Sequence, residues 1–481
     1  MENLLKEAYN PEHFRTLGHE LIDVLTTYLK DAQQGNIPVV QWTTPSEQLR
    51  FWEEYTLDSN APITLFKDII ARSMHVHHPK YMGHQIAPTA PLAALSGLVS
   101  ALLNNGAAIY EMGSSSTAIE KLVIQSLAQK AGYGKNSDGF MTSGGTLANL
   151  TALLAARKVM APSDVWEEGH REGLGVMVSS EAHYCIDRAL RIMGFGSKGI
   201  IKVPVGSSFK MNTELLNTHY ERAQKNGIQV IAVVGSAPST STGMYDDLEA
   251  IAGFCTEKDL WFHVDGAHGG AAVFSSKYKH LLGGMEHADS IVIDGHKMLM
   301  TPSIMTFMLF KEQHHSYSAF SQKAQYLLEK SEQEEWYNMA HRTFECTKHM
   351  MSIKYYVLLN YYGEAVFDQF VTRLYDLGRQ FAAKVTQRKH LELALDPESN
   401  IVCFRYIRSG LSAAELNARN STIRNTILEK GAFYIVQTTL QDRVYLRVTL
   451  MNPETSPEVI DELLTTVEAI GDGEATKDSS L

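Results

Sequence analysis

Apolar residues in the first 60 positions recur at the spacing of one face of an α-helix. The clearest run consists of Phe14, Leu17, Leu21, Ile22, Val24, Leu25, Tyr28 and Leu29. This period predicts an amphipathic helix, yet the segment has too few apolar residues to form a core of its own. We therefore expect residues 1–84 to form an N-terminal helical segment that packs on another part of the protein or on a partner subunit.

Between about residues 85 and 360 the pattern changes to short β-branched runs that alternate with segments of helical length. The strand-like runs are Gly175–Val178, Gln229–Val234, Leu260–Val264 and Ser290–Ile293. Short strands separated by helices predict an α/β domain with a mostly parallel central sheet and helices on both faces. In such sheets ligands bind beyond the carboxyl ends of the strands, so candidate chemistry is sought there.

After residue 360 strands and helices predict a smaller α+β domain over residues 361–470. The remaining residues, 471–481, are polar and are predicted to be a disordered tail. The elements predicted in the smaller domain are helix Ala365–Val385, strand Asn400–Arg408, helix Ala413–Lys430, strand Tyr445–Leu450 and helix Pro457–Ile470.

The amino-acid composition limits the kinds of binding partner that we expect for this protein. The formal net charge of −11 argues against a nucleic-acid-binding protein, which needs a basic surface for phosphates. No run reaches the roughly 18 to 20 apolar residues of a membrane helix, and the polar start Met1–Tyr9 does not resemble a secretory signal. We therefore expect a cytoplasmic protein with a small-molecule partner.

The cysteines and histidines do not indicate a metal site. The four cysteines lie far apart without a CxxC pair, so they predict neither a disulfide framework nor a thiolate site. The cluster His75, His77 and His78 lacks carboxylates or cysteines at ligand spacing. No metal is expected.

The strongest chemical signal is an acid and a lysine at the ends of two predicted strands. Asp265 follows the strand that contains His263 and Val264, and Lys297 follows the strand Ser290–Ile293. A carboxylate that keeps a pyridine nitrogen protonated and a lysine that forms an imine suit a pyridine aldehyde cofactor. Each residue alone is more simply a strand-end cap or a surface lysine, and it is the pair that indicates a site.

A candidate phosphate cradle precedes the helical run Leu150–Met160. The segment Thr142–Thr146 contains two glycines, which let the backbone approach an anion, and the free amides of a helix start point toward it. We expect the Thr146 hydroxyl to cap the helix and to donate a hydrogen bond. A Gly-Gly turn before a helix is a weak signal by itself, and no lysine follows the glycines as in a Walker loop.

Together, Thr142–Thr146, His263–His268 and Asp294–Lys297 resemble the group II pyridoxal-phosphate-dependent amino acid decarboxylases. The likeness runs from about His78 to Pro453. The resemblance implies the type I, aspartate aminotransferase-like fold of pyridoxal-phosphate-dependent transferases, with a large cofactor-binding domain at residues 85–360. It also implies pyridoxal 5'-phosphate as the cofactor and a homodimer whose subunits both contribute to each site.

The resemblance implies a role for most of these residues. Lys297 forms the Schiff base, Asp265 pairs with the pyridine nitrogen, and Ala267 packs under one face of the ring. His183 covers the other face and is a candidate proton donor. Without the resemblance, a helix cap is an equally good interpretation of this residue. The full set of implied cofactor-binding residues is Gly144, Gly145, Thr146, His183, Thr240, Asp265, Ala267, Asp294, His296 and Lys297.

Within that set, Gly145 and Thr146 match phosphate-binding positions, and His296 matches a residue near the phosphate. Thr240 matches a threonine beside the cofactor, and Asp294 an acid near the imine. His268 has no implied role, and we interpret it as structural.

The resemblance also implies substrate residues. His84 and Gln85 match a segment that lines the substrate pocket, and Arg447 matches an arginine that clamps a substrate carboxylate; an arginine paired with an acid at a domain junction is the alternative. The family carries a mobile loop with a tyrosine that protonates the carbanion. In the corresponding stretch, Ala324–Cys346, we expect Tyr337 to serve from a shifted register, or another group to replace it.

These features predict an enzyme that decarboxylates a small, polar or acidic L-amino acid to an amine and carbon dioxide through an external aldimine. Two alternatives remain at this point. One is an aldehyde synthase or carbon-carbon lyase on the same fold, which the altered loop makes worth testing. The other is a catalytically silent protein that uses the fold as a scaffold.

Overall fold

The structure, a computed structural model, describes residues 2–56, 62–170, 173–320 and 335–473. The polar end 474–481 and the stretch 324–334 of the predicted loop lie outside these residues. Contacts divide the chain into two compact units. Unit 1 contains residues 1–84, 380–396 and 402–481, and unit 2 contains residues 85–379 and 397–401. The predicted division at residues 84 and 360 remains a prediction.

Unit 2 is built around a sheet of seven strands. Its strands are β1 (Asp138–Thr142), β2 (Gly173–Ser179), β3 (Ile200–Val203), β4 (Ile228–Ser236), β5 (Trp261–Asp265), β6 (Ser290–Asp294) and β7 (Thr306–Phe310). Their order in the sheet is β1-β7-β6-β5-β4-β2-β3. The neighbours from β3 to β6 pair in parallel, whereas β7 runs antiparallel to both β6 and β1. This is the mostly parallel α/β sheet that the sequence predicts.

Among the described residues, eight α-helices lie wholly within unit 2, and several of them contact the sheet directly. They are α5 (Pro91–Leu103), α6 (Tyr110–Lys130), α7 (Gly145–Met160), α8 (Val165–Glu168), α9 (Tyr184–Ile192), α10 (Leu216–Lys225), α11 (Leu248–Lys258) and α12 (Ser352–Tyr362). Helix α7 is central because it contacts β4, β5, β6 and β7. Its small residues Ala148, Ala152, Ala155 and Ala156 are fully buried and allow this close approach.

Unit 1 contains the N-terminal helices α1 (Glu2–Ala8), α2 (Pro11–Gln34), α3 (Pro45–Glu53) and α4 (Pro62–Ala71). It also holds the four-stranded sheet β10-β11-β9-β8 with helices α14 and α15. The bounds are α13 (Ala365–Thr386), which crosses into unit 1 at residue 380, β8 (Leu391–Leu393), β9 (Ile401–Tyr406), α14 (Ala413–Lys430), β10 (Val436–Leu440), β11 (Arg443–Thr449) and α15 (Pro457–Asp472).

The N-terminal helix α2 follows the predicted apolar period, but much of its apolar face is uncovered. Phe14 is 51% exposed, and Ile22 and Leu25 are also exposed. The helix begins after Asn10, whose side chain accepts a hydrogen bond from the Glu12 amide, and ends at Gly35 in the left-handed conformation.

Candidate active site

The carboxyl ends of β5 and β6 place two carboxylates at the same edge of the sheet. Asp265 is the last residue of β5 and Asp294 the last of β6, and the strands pair in parallel with Asp265 opposite Val292. Both side chains are buried, at 8% and 3% exposure. The Ala267 amide donates to Asp265 Oδ1 over 3.2 Å, which fixes the carboxylate at the strand end.

Asp294 holds the lysine. Lys297 Nζ lies 2.9 Å from Asp294 Oδ2, and the Thr306 hydroxyl on β7 donates to Asp294 Oδ1 over 2.5 Å. Burial alone would raise the pKa of the Asp294 carboxyl, but Lys297, His296 and Thr306 outweigh burial and hold the pKa below its ordinary value. Asp294 is therefore an anion that positions the Lys297 amine.

His183 lies at the start of α9 and belongs to the same site. Its Nδ1 accepts a hydrogen bond from the Cys185 amide over 3.4 Å, so His183 is also the N-cap of this helix. Burial lowers the pKa of the imidazole, and the nearby Asp265 opposes this shift while Lys297 adds to it. A neutral ring that accepts at Nδ1 carries its proton on Nε2.

The start of α7 provides an anion cradle. Helix α7 begins at Gly145, and Gly144 is its N-cap with a φ of 153°, a backbone conformation that favours glycine. A Cβ at Gly145 would lie 3.1 Å from Asp294 Oδ1 and 3.5 Å from the Ala267 Cβ, so the glycine permits close packing here. The predicted cap by Thr146 is not observed, because Thr146 lies inside the helix and no side chain caps its start.

These groups surround one cavity of about 530 Å³. All ten residues that the sequence resemblance assigns to the cofactor line it, including Thr240, Ala267 and His296. His296 Nδ1 lies 2.9 Å from the Met305 carbonyl oxygen, which orients its ring. The tertiary structure thus brings residues from five separate stretches of sequence to one site.

Sequence reasoning did not select several other residues that line the cavity. Asn149 follows Gly145 by one helical turn, so the spacing along α7 was a usable signal. The sequence suggests a structural role for His268. Its Nε2 lies 2.8 Å from Asn400 Oδ1, which is a structural contact, and the residue also lines the cavity. The unselected lining residues are Ser143, Leu147, Asn149, Leu150, Cys185, Pro238, His268 and Ile304.

A buried hydrogen-bond chain supports Asn149 from behind. His263 is fully buried on β5, with Nε2 2.7 Å from Asn149 Oδ1 and Nδ1 2.8 Å from the Ser290 hydroxyl. Burial lowers the pKa of His263 to about 4, so the ring is neutral. With Asn149 accepting at Oδ1, its amide hydrogens face Cys185 Sγ, 3.5 Å away, and the cavity wall.

The predicted substrate residues and Tyr337 lie elsewhere in their units. In unit 1, Arg447 on β11 is 8% exposed, and the His84 ring lies 5.8 Å from the Tyr434 ring. In unit 2, the Tyr337 ring packs edge-on against Tyr110 at 5.6 Å, and neither Gln85 nor Tyr337 is among the described residues that line the cavity. The assignment of His84, Gln85, Arg447 and Tyr337 remains a prediction.

A lysine, a strand-end acid and a helix start around one cavity are typical of enzymes that bind an aldehyde cofactor. A crystal structure of Oryza sativa TDC with PLP and tryptamine matches the chain with a TM-score of 0.87 at 19% identity. The match covers 97% of this chain and 99% of that chain. This likeness shows the type I fold of pyridoxal-phosphate enzymes.

The chain belongs to the pyridoxal-dependent decarboxylase family, whose conserved-domain model matches residues 58–407. It is 25% identical to an aromatic-L-amino-acid decarboxylase of Bacillus atrophaeus, over 98% of this chain and 97% of the relative. It is 28% identical to the L-aspartate decarboxylase dtxS4 of Metarhizium robertsii, over 91% and 89% of the two chains. The protein is a carboxy-lyase that depends on pyridoxal phosphate.

The residues present fit this cofactor. The cavity is lined by Lys297, by the buried acid Asp265 and, at the start of α7, by Gly145 and Thr146 with their backbone amides, which would suit the aldehyde, the pyridinium nitrogen and the phosphate of the cofactor respectively. The space that a Cβ at Gly145 would fill lies directly against Asp294 and Ala267.

Among the described helices, none has the length and apolar character needed to span a bilayer.

Proposed function

We propose that the protein decarboxylates a small polar or acidic L-amino acid and releases the amine and carbon dioxide. The observation that carries the choice of substrate is a cationic cluster in unit 1. Burial and the positive charges of Arg447 and Arg424 together lower the pKa of the His84 imidazole. No ion pair to Arg424 occurs among the described residues, and a substrate carboxylate would supply one.

The relatives named above act on different amino acids. One is named for aromatic amino acids and the other for L-aspartate, at similar identity to this chain. Overall similarity therefore does not choose between an aromatic and an acidic substrate. The guanidinium groups of Arg447 and Arg424 favour the acidic or polar class, because a planar fork of donors matches a carboxylate.

In the proposed mechanism, Lys297 holds the cofactor and the buried Asp265 carboxylate keeps the pyridine nitrogen protonated. Bound pyridoxal phosphate supplies the electron sink for the pair of electrons left when carbon dioxide departs. Asp294 orients the Lys297 amine through their 2.9 Å contact, and the amides at the start of α7 hold the phosphate. The protein thus contributes orientation and a buried charge.

Proton return to the substrate carbon decides between an amine and an aldehyde. His183 lines the cavity and is the proposed donor: after it takes up a proton from solvent, the imidazolium returns one proton from Nε2 to the substrate carbon, directly or through water, and becomes the neutral ring again. Tyr337 is the other predicted donor. An aldehyde synthase would release ammonia and consume oxygen, so the ratio of amine to aldehyde in the product separates the two activities.

We also propose a homodimer. Helix α5 exposes Leu98, Val99, Leu102 and Leu103, each half or more exposed, and such a continuous apolar face fits burial against a second copy. Elution at monomer size in gel filtration at micromolar protein would contradict this proposal.

The test is a screen of the twenty common amino acids, 2,4-diaminobutyrate and cysteine sulfinate for carbon dioxide release, with product analysis. We expect the highest kcat/KM for an acidic or polar substrate and amine as the main product. Arg447→Gln should raise KM for that substrate by about tenfold or more, because a charge-assisted bidentate contact is lost. Arg443→Gln, an exposed arginine on the same strand, is the matched control. A preference for aromatic substrates that Arg447→Gln leaves unchanged would reject the proposed substrate class.

A further inference from the structure

Ser143 precedes the two glycines of the cradle and lines the cavity, but its hydroxyl is directed to a carboxylate. Ser143 Oγ donates to Glu345 Oε1 over 2.8 Å. A serine hydroxyl has one proton, so it donates to one acceptor at a time. The acceptor in this structure is an anion beside the place where the cofactor phosphate, itself an anion, is expected to bind.

The backbone that carries Glu345 is held firmly on both sides. On one side, Arg342 is fully buried and lies 2.8 Å from the buried Asp138. On the other side, Lys348 lies 2.5 Å from the buried Glu120. Since both anchors are buried ion pairs, breaking either partner is costly, and the Glu345 backbone has little freedom to move away.

Two further contacts restrict the segment at Glu345 itself. The Thr343 hydroxyl lies 3.1 Å from the Glu345 carbonyl oxygen, and the Ala107 amide donates to the Lys348 carbonyl oxygen over 2.9 Å. The carboxylate of Glu345 can rotate about its own side-chain bonds, but its starting point stays beside the cradle. A phosphate dianion bound at the start of α7 would therefore face this carboxylate.

We propose that Glu345 sets the affinity for the cofactor by competing with its phosphate for the Ser143 hydroxyl. When Ser143 donates to Glu345, the cradle has one donor fewer for the phosphate. When Ser143 turns to the phosphate, Glu345 loses its hydrogen bond and stands near a second anion. Either way the chain binds pyridoxal phosphate less tightly, and releases it faster, than the same cradle would without Glu345. The proposal rests on the cofactor and is independent of the substrate.

The experiment is a titration of the full-length chain, freed of cofactor, with pyridoxal 5'-phosphate in the absence of substrate, followed by the absorbance of the bound cofactor. Glu345→Gln should tighten binding by about three- to tenfold, the size expected when a charged competitor for one hydrogen bond becomes neutral. The loss of cofactor from the loaded enzyme on dilution should slow by a similar factor. Inorganic phosphate should compete more strongly in the variant.

Two more variants make the test specific. Glu335→Gln removes the same charge from the same segment, but Glu335 accepts its hydrogen bond from the Asn338 side chain and not from a cradle residue, so this variant should leave cofactor affinity unchanged. Ser143→Ala should weaken cofactor binding more in the Glu345→Gln background than in the parent, since there the competing acceptor is neutral and the hydroxyl donates more often to the phosphate. Unchanged or weaker cofactor binding by Glu345→Gln, with the thermal unfolding of the cofactor-free chain preserved, would overturn the proposal.

Discussion

Two parts of the cavity lining hold charge in different ways. The strand-end wall, formed by Asp265, Asp294 and Lys297, uses charged side chains that are mostly buried and have fixed partners. The helix-start cradle, residues Ser143–Thr146, uses backbone amides, and the side chains of Ser143 and Thr146 are exposed. The charge in the wall depends on which side chains are present, whereas the charge in the cradle depends on the path of the backbone.

This difference predicts how the wall and the cradle each respond to substitution. In the wall, removing a charge leaves its buried partner without compensation, so a single change affects both chemistry and stability. In the cradle, backbone amides remain after most substitutions, so the most harmful change is one that alters backbone geometry or fills space. The following predictions test this contrast, from the largest expected effect to the smallest.

The largest effect is expected for Lys297→Arg in the wall. Arginine keeps a positive charge beside Asp294 but cannot form an imine, so kcat/KM should fall by about 10³-fold or more. Borohydride should no longer fix the cofactor on the chain, as checked by mass spectrometry of the peptide that contains position 297. Lys202→Ala, which removes a surface lysine paired with Asp187, is the control and should keep full activity. Substantial activity in Lys297→Arg would remove Lys297 from the mechanism.

The second effect concerns the other carboxylate of the wall. Asp265→Asn keeps the shape of the side chain but removes its charge, and kcat should fall by about 10²-fold because the pyridine nitrogen loses its anionic partner. Cofactor affinity should fall less than kcat. Asp289→Asn is the matched control, since Asp289 accepts a hydrogen bond from the Phe262 amide at the opposite ends of the same strands. If both variants lost equal activity, the strand-end position of Asp265 would carry no special role.

The cradle should be sensitive to one methyl group. In Gly145→Ala the new Cβ would lie 3.1 Å from Asp294 Oδ1, so cofactor affinity should weaken by about tenfold, the cost of modest overpacking. Gly253→Ala in α11 meets nothing within 4 Å and should be neutral or slightly stabilising. Equal cofactor affinity in both variants, measured by titration, would contradict the close packing at Gly145.

The smallest effect is expected for Thr306→Val, which removes the 2.5 Å hydrogen bond to Asp294 and should cost about 1 kcal/mol of stability. Asp294 has a pKa below its ordinary value of 3.8, so its contribution to stability is present above that value and is lost as the pH falls through the lowered pKa. Without the hydroxyl the folded-state pKa should rise toward 3.8, so the loss of stability due to Asp294 should be smaller and should be complete at a higher pH.

Unfolding of the cofactor-free chain across the acid range measures the effect of Thr306→Val. The control is Thr151→Val, which removes a buried hydroxyl that donates to the Leu147 carbonyl oxygen, a group that does not titrate, and should lower stability without changing how stability depends on acid pH. If stability depended on acid pH in the same way in both variants, Thr306 would not lower the pKa of Asp294.

Much of the site follows from local sequence. A polar residue directly after a buried strand, as at Asp265 and Asp294, must lie at the carboxyl edge of a parallel sheet, because strand direction fixes that edge. The two glycines before α7 likewise mark where the backbone can approach an anion. The four strand runs predicted in unit 2 correspond to β2, β4, β5 and β6.

Other parts depend on contacts that are distant in sequence. Strand β7 was not predicted, because its sequence is a plain apolar run, yet its antiparallel pairing with β6 brings Thr306 to Asp294. The chain from Ser290 through His263 to Asn149 joins three elements, and no local pattern marks it. The predicted cap by Thr146 was wrong because α7 begins at Gly145, earlier than its apolar period indicates.

The sequence by itself determined the chemistry of this protein: which residue types occur at the strand ends, and that a lysine, an acid and a glycine turn occur in an order typical of one family. Only the tertiary structure decided their partners, such as Asp294 for Lys297, Thr306 for Asp294 and Glu345 for Ser143. The physical reason is that residue type and strand direction are local properties, whereas hydrogen-bond partners and burial arise when distant segments pack together.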